Sequence, residues 1–316
     1  LRGTPPPGDG LVSIGGRFYN ALGERYMKKY DPINAEIVTR DLVGIRTYME
    51  IKAGRGTPNG GVYNDLSGVP EEELNRFTKF LAACKAENID PCWQPLEWAP
   101  GAHHFMGGVK INEKCETNVQ RLYACGEVAG GVHGANRIGA NALTDILVFG
   151  ARAGRFAAES ALSTSKPELD LKKVEEERKR IFTVYKREDG IDASDIRKNI
   201  QELMSRYVGP SKNESELLEA LHRIEEIKMS KLQRLYVTEK TYKKLGEAIE
   251  ALNIINVSEI IIKAALARKE SRGAHYREDY QQRDDKNWLK NIIIHSDGNE
   301  MKLHTLPAIL TELKPN

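Results

Sequence analysis

The chain has almost no excess of either charge, with 47 Lys and Arg against 45 Asp and Glu. That removes the broad basic surface selected by nucleic acid or an anionic membrane, so no nucleic-acid partner is expected and any anion site has to be local. A long apolar run is also missing. A membrane span needs about 18–20 apolar residues, and the longest candidate, 254–266, is interrupted by Asn256, Ser258, Glu259 and Lys263. Only four cysteines occur, Cys84, Cys92, Cys115 and Cys125, with no CxxC pair and no metal-ligand spacing. They suit a reducing, cytoplasmic compartment and a chain with neither disulfides, a metal site nor an iron–sulfur cluster of its own. Leu1-Arg2-Gly3 looks like neither an initiator product nor a signal peptide, and the chain reads as starting inside a larger unit.

A chain of 316 residues has room for two or three compact units. Residues 1–101 mix Gly/Pro turns with short periodic pieces. Leu42, Ile45 and Met49 mark a helical face, and 62–66 alternate like a strand. Pro70 and three glutamates open a helix carrying Leu74, Phe77, Phe80 and Leu81, and 93–100 read as a connector. From 102 to 162 charge thins out. Leu122-Tyr123-Ala124-Cys125 reads as a short buried strand running into Gly126-Glu127, a glycine-rich stretch, and a helix from about Asn141. Such a strand, turn and small-residue helix let backbone approach a ligand closely.

Residues 163–290 are charged and helical. Ile196, Ile200, Leu203, Met204 and Tyr207 share one face, as do Leu217, Leu218, Leu221 and Ile224, and Ser258 reads as the cap of a further helix. Residues 291–316 read as a β-hairpin around Asp297-Gly298-Asn299.

Two segments carry chemistry. Ala102-His103-His104-Phe105-Met106-Gly107-Gly108 precedes a strand, and His133-Gly134-Ala135-Asn136-Arg137-Ile138-Gly139-Ala140-Asn141-Ala142-Leu143 opens a helix. Each alone is compatible with a structural turn. Together, an arginine just before a helix N-terminus and a Gly-Glu turn upstream form a pocket suited to anions.

The second segment is similar to the HGANRLGxNxL signature of the succinate dehydrogenase / fumarate reductase / L-aspartate oxidase flavoproteins. The first resembles their AHYxMGG segment, with His104 in place of the usual tyrosine. Thr39-Arg40-Asp41 resembles their PRD, and the stretch from Arg268 to Trp288 resembles RKESRGAH…RDDxNW. The matches run in family order along most of the chain. They identify the chain as a member of the succinate dehydrogenase / fumarate reductase flavoprotein family.

The resemblance implies an α+β / α/β fold in four parts. These are a capping-domain remnant (1–101), the C-terminal part of a Rossmann-like FAD-binding domain (102–162), a helical bundle domain (163–290) and a short β tail (291–316). No GxGxxG follows a strand near the start. An upstream FAD-binding segment is therefore an expected partner, in the same or another polypeptide, and the isolated fragment is expected to be inactive.

The resemblance also implies roles. Arg137 and His103 hold the carboxylates of fumarate or succinate, Arg40 gives the proton, and Arg2 belongs to the relay that restores it. Gly126 and Glu127 lie against the ribityl chain of FAD, and Asn141, Ala142 and Leu143 face the flavin. An iron–sulfur electron-transfer subunit is the implied partner. The implied location is cytoplasmic, at the inner face of the cell membrane through partner subunits. Two alternatives stay open at this point. One is an L-aspartate oxidase-like FAD enzyme, although Phe105-Met106 stands where those have Thr-Cys; the other is a non-catalytic docking fragment.

Overall fold

The computed structural model describes residues 11–310 except Pro167, Thr238, Lys240 and Asn299. It divides into two compact units, the first ending at His104 and the second starting at Phe105.

The first unit is built on an antiparallel sheet, β1 (Arg17–Tyr19), β2 (Val62–Asp65) and β3 (Leu96–Trp98), in the order β1-β2-β3. Alternation sends Val62 and Asn64 inward, and β3 pairs with β2 through Val62 and Trp98. The 93–100 connector thus contains a strand. Pro95 and Pro100 flank it rather than exclude it, since proline is tolerated beside a strand and breaks only its interior ladder.

Helix α1 (Arg40–Glu50) covers one core of Phe18, Tyr26, Met27, Val43 and Val62. The helix expected after Pro70 is two pieces, Glu71–Leu74 and α2 (Thr78–Ala86). Tight bonds from Arg76 N to Glu73 O (3.3 Å) and Phe77 N to Leu74 O (3.0 Å) turn the chain between them. The turn lets Leu74, Phe80 and Cys84 all enter one core, a tertiary demand that periodicity alone does not contain.

The second unit begins with a pair of short parallel strands, β4 (Val109–Lys110) and β5 (Ala129–Gly130). Only glycine fits at 108. Its φ is +155°, and a Cβ there would lie 2.3 Å from the Val128 carbonyl oxygen. The strand expected at 122–125 is not formed. Tyr123 makes a single bridge to Glu116, Ala124 N bonds Cys115 O at 3.0 Å, and Leu122 is half exposed. A short apolar run has no period to separate strand from loop, and the parallel pairing falls after Gly126 instead.

Helix α3 (Asn141–Ser163) follows, then α4 (Leu171–Lys186), α5 (Ala193–Tyr207), α6 (Glu214–Glu226) and α7 (Tyr242–Ala267). The side chains of Asp170, Asp192, Asn213 and Thr241 cap α4 to α7, each worth about 1 kcal/mol. Ile196, Ile200, Leu217, Ile224, Ala251, Ile255 and Ile262 form their shared core. Ser258 is no cap. It lies buried in the middle of α7, which is apolar nearly all round because it is the central helix, so no polar face marked its start. Two further parallel pairs tie the helices at their ends, β6 (Ile191–Asp192) with β8 (Leu235–Tyr236) and β7 (Ser211–Lys212) with β9 (Tyr276–Arg277). The hairpin is as expected, β10 (Lys290–Asp297) against β11 (Glu300–Pro307). Among the described residues no helix is long and apolar enough to cross a membrane.

Glu50 is the electrostatic anchor of the first unit. Its carboxylate is fully buried and accepts from Arg55 Nε (2.6 Å) and Nη2 (2.8 Å), Asn20 Nδ2 (3.0 Å) and Tyr30 Oη (2.7 Å). Burial pushes this carboxyl up, but the bonds from Arg55, Asn20 and Tyr30 outweigh it and hold it down at about 2. A group with a depressed folded pKa stabilises above its unfolded value, and loses that contribution as pH falls through the folded one. The stabilisation by Glu50 is therefore complete above about pH 4.5 and fades towards pH 2. Glu50→Gln is expected to cost about 3–5 kcal/mol at neutral pH, as one half of a buried pair removed. Thermal melts of the variant between pH 5 and pH 2.5 should slope less than the wild type; equal slopes would show that Glu50 does not carry the acid dependence.

Candidate active site

In the first unit, Arg40 opens α1 and is exposed. A cation at the first turn sits at the positive end of the helix dipole, a placement unfavourable by about 0.3–1 kcal/mol and partly compensated by Asp41 beside it. Helix electrostatics therefore does not explain Arg40. The nearby Glu36 carboxylate is gripped by Arg25 through Nε (3.0 Å) and Nη2 (2.6 Å). Glu50 fixes the far end of the same helix, so Arg40 stands on a rigid mount. His103 is exposed near the end of this unit. Arg2 lies outside the described residues.

The second unit gathers Gly126, Glu127, Arg137, Asn141, Ala142 and Leu143. Gly126 starts a tight turn with φ +73°, and Ile146 of α3 packs over it. Glu127 Oε1 accepts the Phe105 N–H at 2.9 Å, which orients a carboxylate otherwise open to solvent. The 133–139 loop leads into α3 through Ala140, in a left-handed conformation with no side-chain cap. Asn141 is thus the first helical residue rather than the cap, and Asn141 N bonds Ile138 O at 3.1 Å.

Arg137 is the informative residue. Its Nε is buried and has no hydrogen-bond partner among the described residues, while Nη1 reaches only the Ile138 carbonyl at 3.4 Å. A guanidinium N–H without an acceptor is costly, and the cost is recovered when an anion arrives. His133, on the same loop, is paired with the buried Asp145 at 3.3 Å. The stretch 143–148 of α3 exposes Leu143, Ile146, Leu147 and Val148, an apolar patch next to the helix start.

The donor set suits FAD. An uncapped helix start favours the electron-rich edge of a flavin, an oriented carboxylate suits ribityl hydroxyls, and an exposed apolar face suits the ring. The segment 268–288, matched to a family signature in the sequence, has no role in the site on that match alone. It folds as a buried polar knot around Glu270, and its turn touches Ala135. The available signal was the density of opposite charges flanking Ser271-Arg272-Gly273-Ala274-His275.

These features fit a flavin-binding segment, and comparison with known proteins makes the class particular. A family model described as FAD binding domain matches residues 8–143, and one described as fumarate reductase flavoprotein C-term matches 197–316. The chain is 42% identical over 283 residues to a fumarate reductase (CoM/CoB) subunit of Methanothermobacter marburgensis, covering 89% of this chain and 51% of that one. It is 32% identical to the succinate dehydrogenase flavoprotein subunit of Rickettsia bellii, covering 96% and 54%. Among solved structures, E. coli quinol fumarate reductase FrdA superposes with a TM-score of 0.87 at 28% identity, over 98% of this chain and 57% of that one. The chain belongs to the succinate dehydrogenase / fumarate reductase flavoprotein family, and its cofactor is FAD. It spans about half the length of the curated relatives it matches.

Residues 1–316 contain no GxGxxG to hold the ADP half of the cofactor. Purified as 316 residues alone, the chain is expected to retain FAD weakly or not at all. The flavin absorbance of a mass-verified preparation measures this, and one FAD per chain would overturn the expectation.

Proposed function

We propose that the chain is the C-terminal part of a flavoprotein subunit that interconverts fumarate and succinate. The observation that carries the reading is Arg137, a buried guanidinium N–H without an acceptor, on a loop running into an uncapped helix start. A planar two-pronged donor fits a carboxylate, and a dicarboxylate needs more than one such grip. Arg137 and His103 take that role, and drawing charge from the carboxylate makes the carbon–carbon double bond electrophilic. FAD, when bound, supplies the hydride chemistry at one carbon. The protein orients the substrate and brings a proton to the other carbon.

Arg40 is the proton donor in this reading. An arginine stays protonated at neutral pH, so it delivers a proton only to a strongly basic acceptor such as a developing carbanion. Arg2 is assigned to the relay that restores the proton. Gly126, Glu127, Asn141, Ala142 and Leu143 are assigned to hold the cofactor. Electrons reach the flavoprotein from an iron–sulfur subunit, since the four cysteines have no cluster spacing. That subunit keeps the assembly at the cytoplasmic face of a membrane.

The test is fumarate reduction with a dye donor by the full-length flavoprotein at equal FAD occupancy. Arg40→Ala is expected to lower kcat by about 10²–10⁴ while changing KM little, because a general acid acts in the transition state. Arg137→Ala is expected to raise KM as well. Retention of more than about a tenth of kcat in Arg40→Ala, far short of that general-acid range, would assign the proton to another group.

A further inference from the structure

Past the end of α7, residues 268–290 fold around Glu270, whose carboxylate has no exposure to water. Arg272 grips it with Nε and Nη2 at 2.7 and 2.8 Å, Arg268 reaches it at 2.5 Å, and the Asp284 N–H bonds it at 2.9 Å. Arg272 also meets Asp285 at 2.7 Å. Burial pushes the Glu270 carboxyl up, but the bonds from Arg272, the Asp284 amide and Arg268 outweigh it and keep it ionised. Arg277, fully buried, donates to the Ala265 carbonyl at the end of α7 and forks onto Asp279 at 2.8 and 2.7 Å. Ser271 accepts the Arg277 N–H at 2.8 Å and donates to Tyr280 O at 2.8 Å.

This knot holds one small tight turn. Arg272 and His275 bond reciprocally, N to O, at 2.8 and 3.1 Å, leaving Gly273 and Ala274 at the tip. Gly273 has φ +56°, and a Cβ there would lie 2.4 Å from the Ala135 carbonyl oxygen and 2.9 Å from the Asn136 Cβ. The Ala274 N–H donates to that same Ala135 oxygen at 3.1 Å. Ala135 and Asn136 immediately precede Arg137. The turn is also insensitive to physiological pH, because burial and the nearby Lys212 charge hold His275 down at about 4.

We propose that the Arg272–His275 turn is a positioning element for Arg137: Gly273 admits the close approach, Ala274 fixes the Ala135 carbonyl, and Arg272 on Glu270 holds the turn in place. The proposal rests on the reading of Arg137 as a carboxylate clamp. Neither Gly273 nor Arg272 touches substrate in it. Their effect reaches the ligand only through the loop, and that makes it separable from a general loss of stability.

A double-mutant cycle on the full-length flavoprotein carrying FAD decides the matter, read as the Kd of succinate by calorimetry. Arg137→Ala is expected to weaken succinate by about 10–100-fold, the worth of charge-assisted hydrogen bonds to a carboxylate. Gly273→Ala is expected to weaken it by about tenfold, the low end of that range, because the loop has to move away from the new methyl. In the Arg137→Ala background, Gly273→Ala should change Kd hardly at all. If its penalty persists undiminished there, the turn does not act through Arg137 and the inference falls while the clamp reading stands. If Arg137→Ala leaves Kd unchanged, the clamp reading itself is wrong, and the positioning role falls with it. Should Gly273→Ala fail to fold or lose FAD, Arg272→Lys replaces it in the same cycle. It keeps the charge on Glu270 but loses the two-pronged grip, and its coupling to Arg137→Ala is judged by the same two outcomes.

Discussion

Glu270 has no contact with water, and it stays charged there because Arg268 and Arg272 both reach it. A lone carboxylate in that position would cost several kcal/mol, so the segment cannot fold without its arginines and the arginines cannot spread without the carboxylate. The constraint is geometric as well as energetic. The Arg272 fork and a single bond from Arg268 on one carboxylate fix the backbone from 268 to 272, and Ser271 and Arg277 fix it again from the other side. What emerges is a turn held rigidly enough to press backbone against backbone at Ala135. The helical core packed on α7 acts on the Arg137 loop through this chain of contacts.

The first unit solves a similar problem with Glu50. The exposed end of α1 carries Arg40, while the buried end is fixed by Arg55, Asn20 and Tyr30. In both units a buried carboxylate is saturated by local donors. Such hubs add little net stability over an apolar core, but they specify one arrangement, because every alternative leaves a charge unpaired.

Much of this was legible in the sequence where the signal is local. The amphipathic helices α5 and α6, the hairpin, β2 and the helix start at Asn141 follow from period and turn chemistry. The misses have a common cause. Leu122 to Cys125 and the 71–81 helix depended on what neighbouring segments offered for pairing or burial. Ser258 was misread because a central helix has no polar face to show where it begins. The residues around Arg137 could be read because their types and order are chemically specific. The bracing turn could not, since its role lies in a contact between residues 139 positions apart, Ala135 and Ala274.

An arginine intended for a ligand's carboxylate must not be answered by one of the protein's own. In the second unit the neighbouring acids are committed elsewhere. Asp145 faces His133, Glu127 is turned onto the Phe105 N–H, and Glu270 is occupied by Arg268 and Arg272. Glu127 and Glu270 are thereby engaged by other donors, while Asp145 keeps one buried oxygen, Oδ1, without a hydrogen bond among the described residues. On the proposed reading, the Arg137 Nε is left without an acceptor among the described residues, and its stabilisation is deferred until an anion binds.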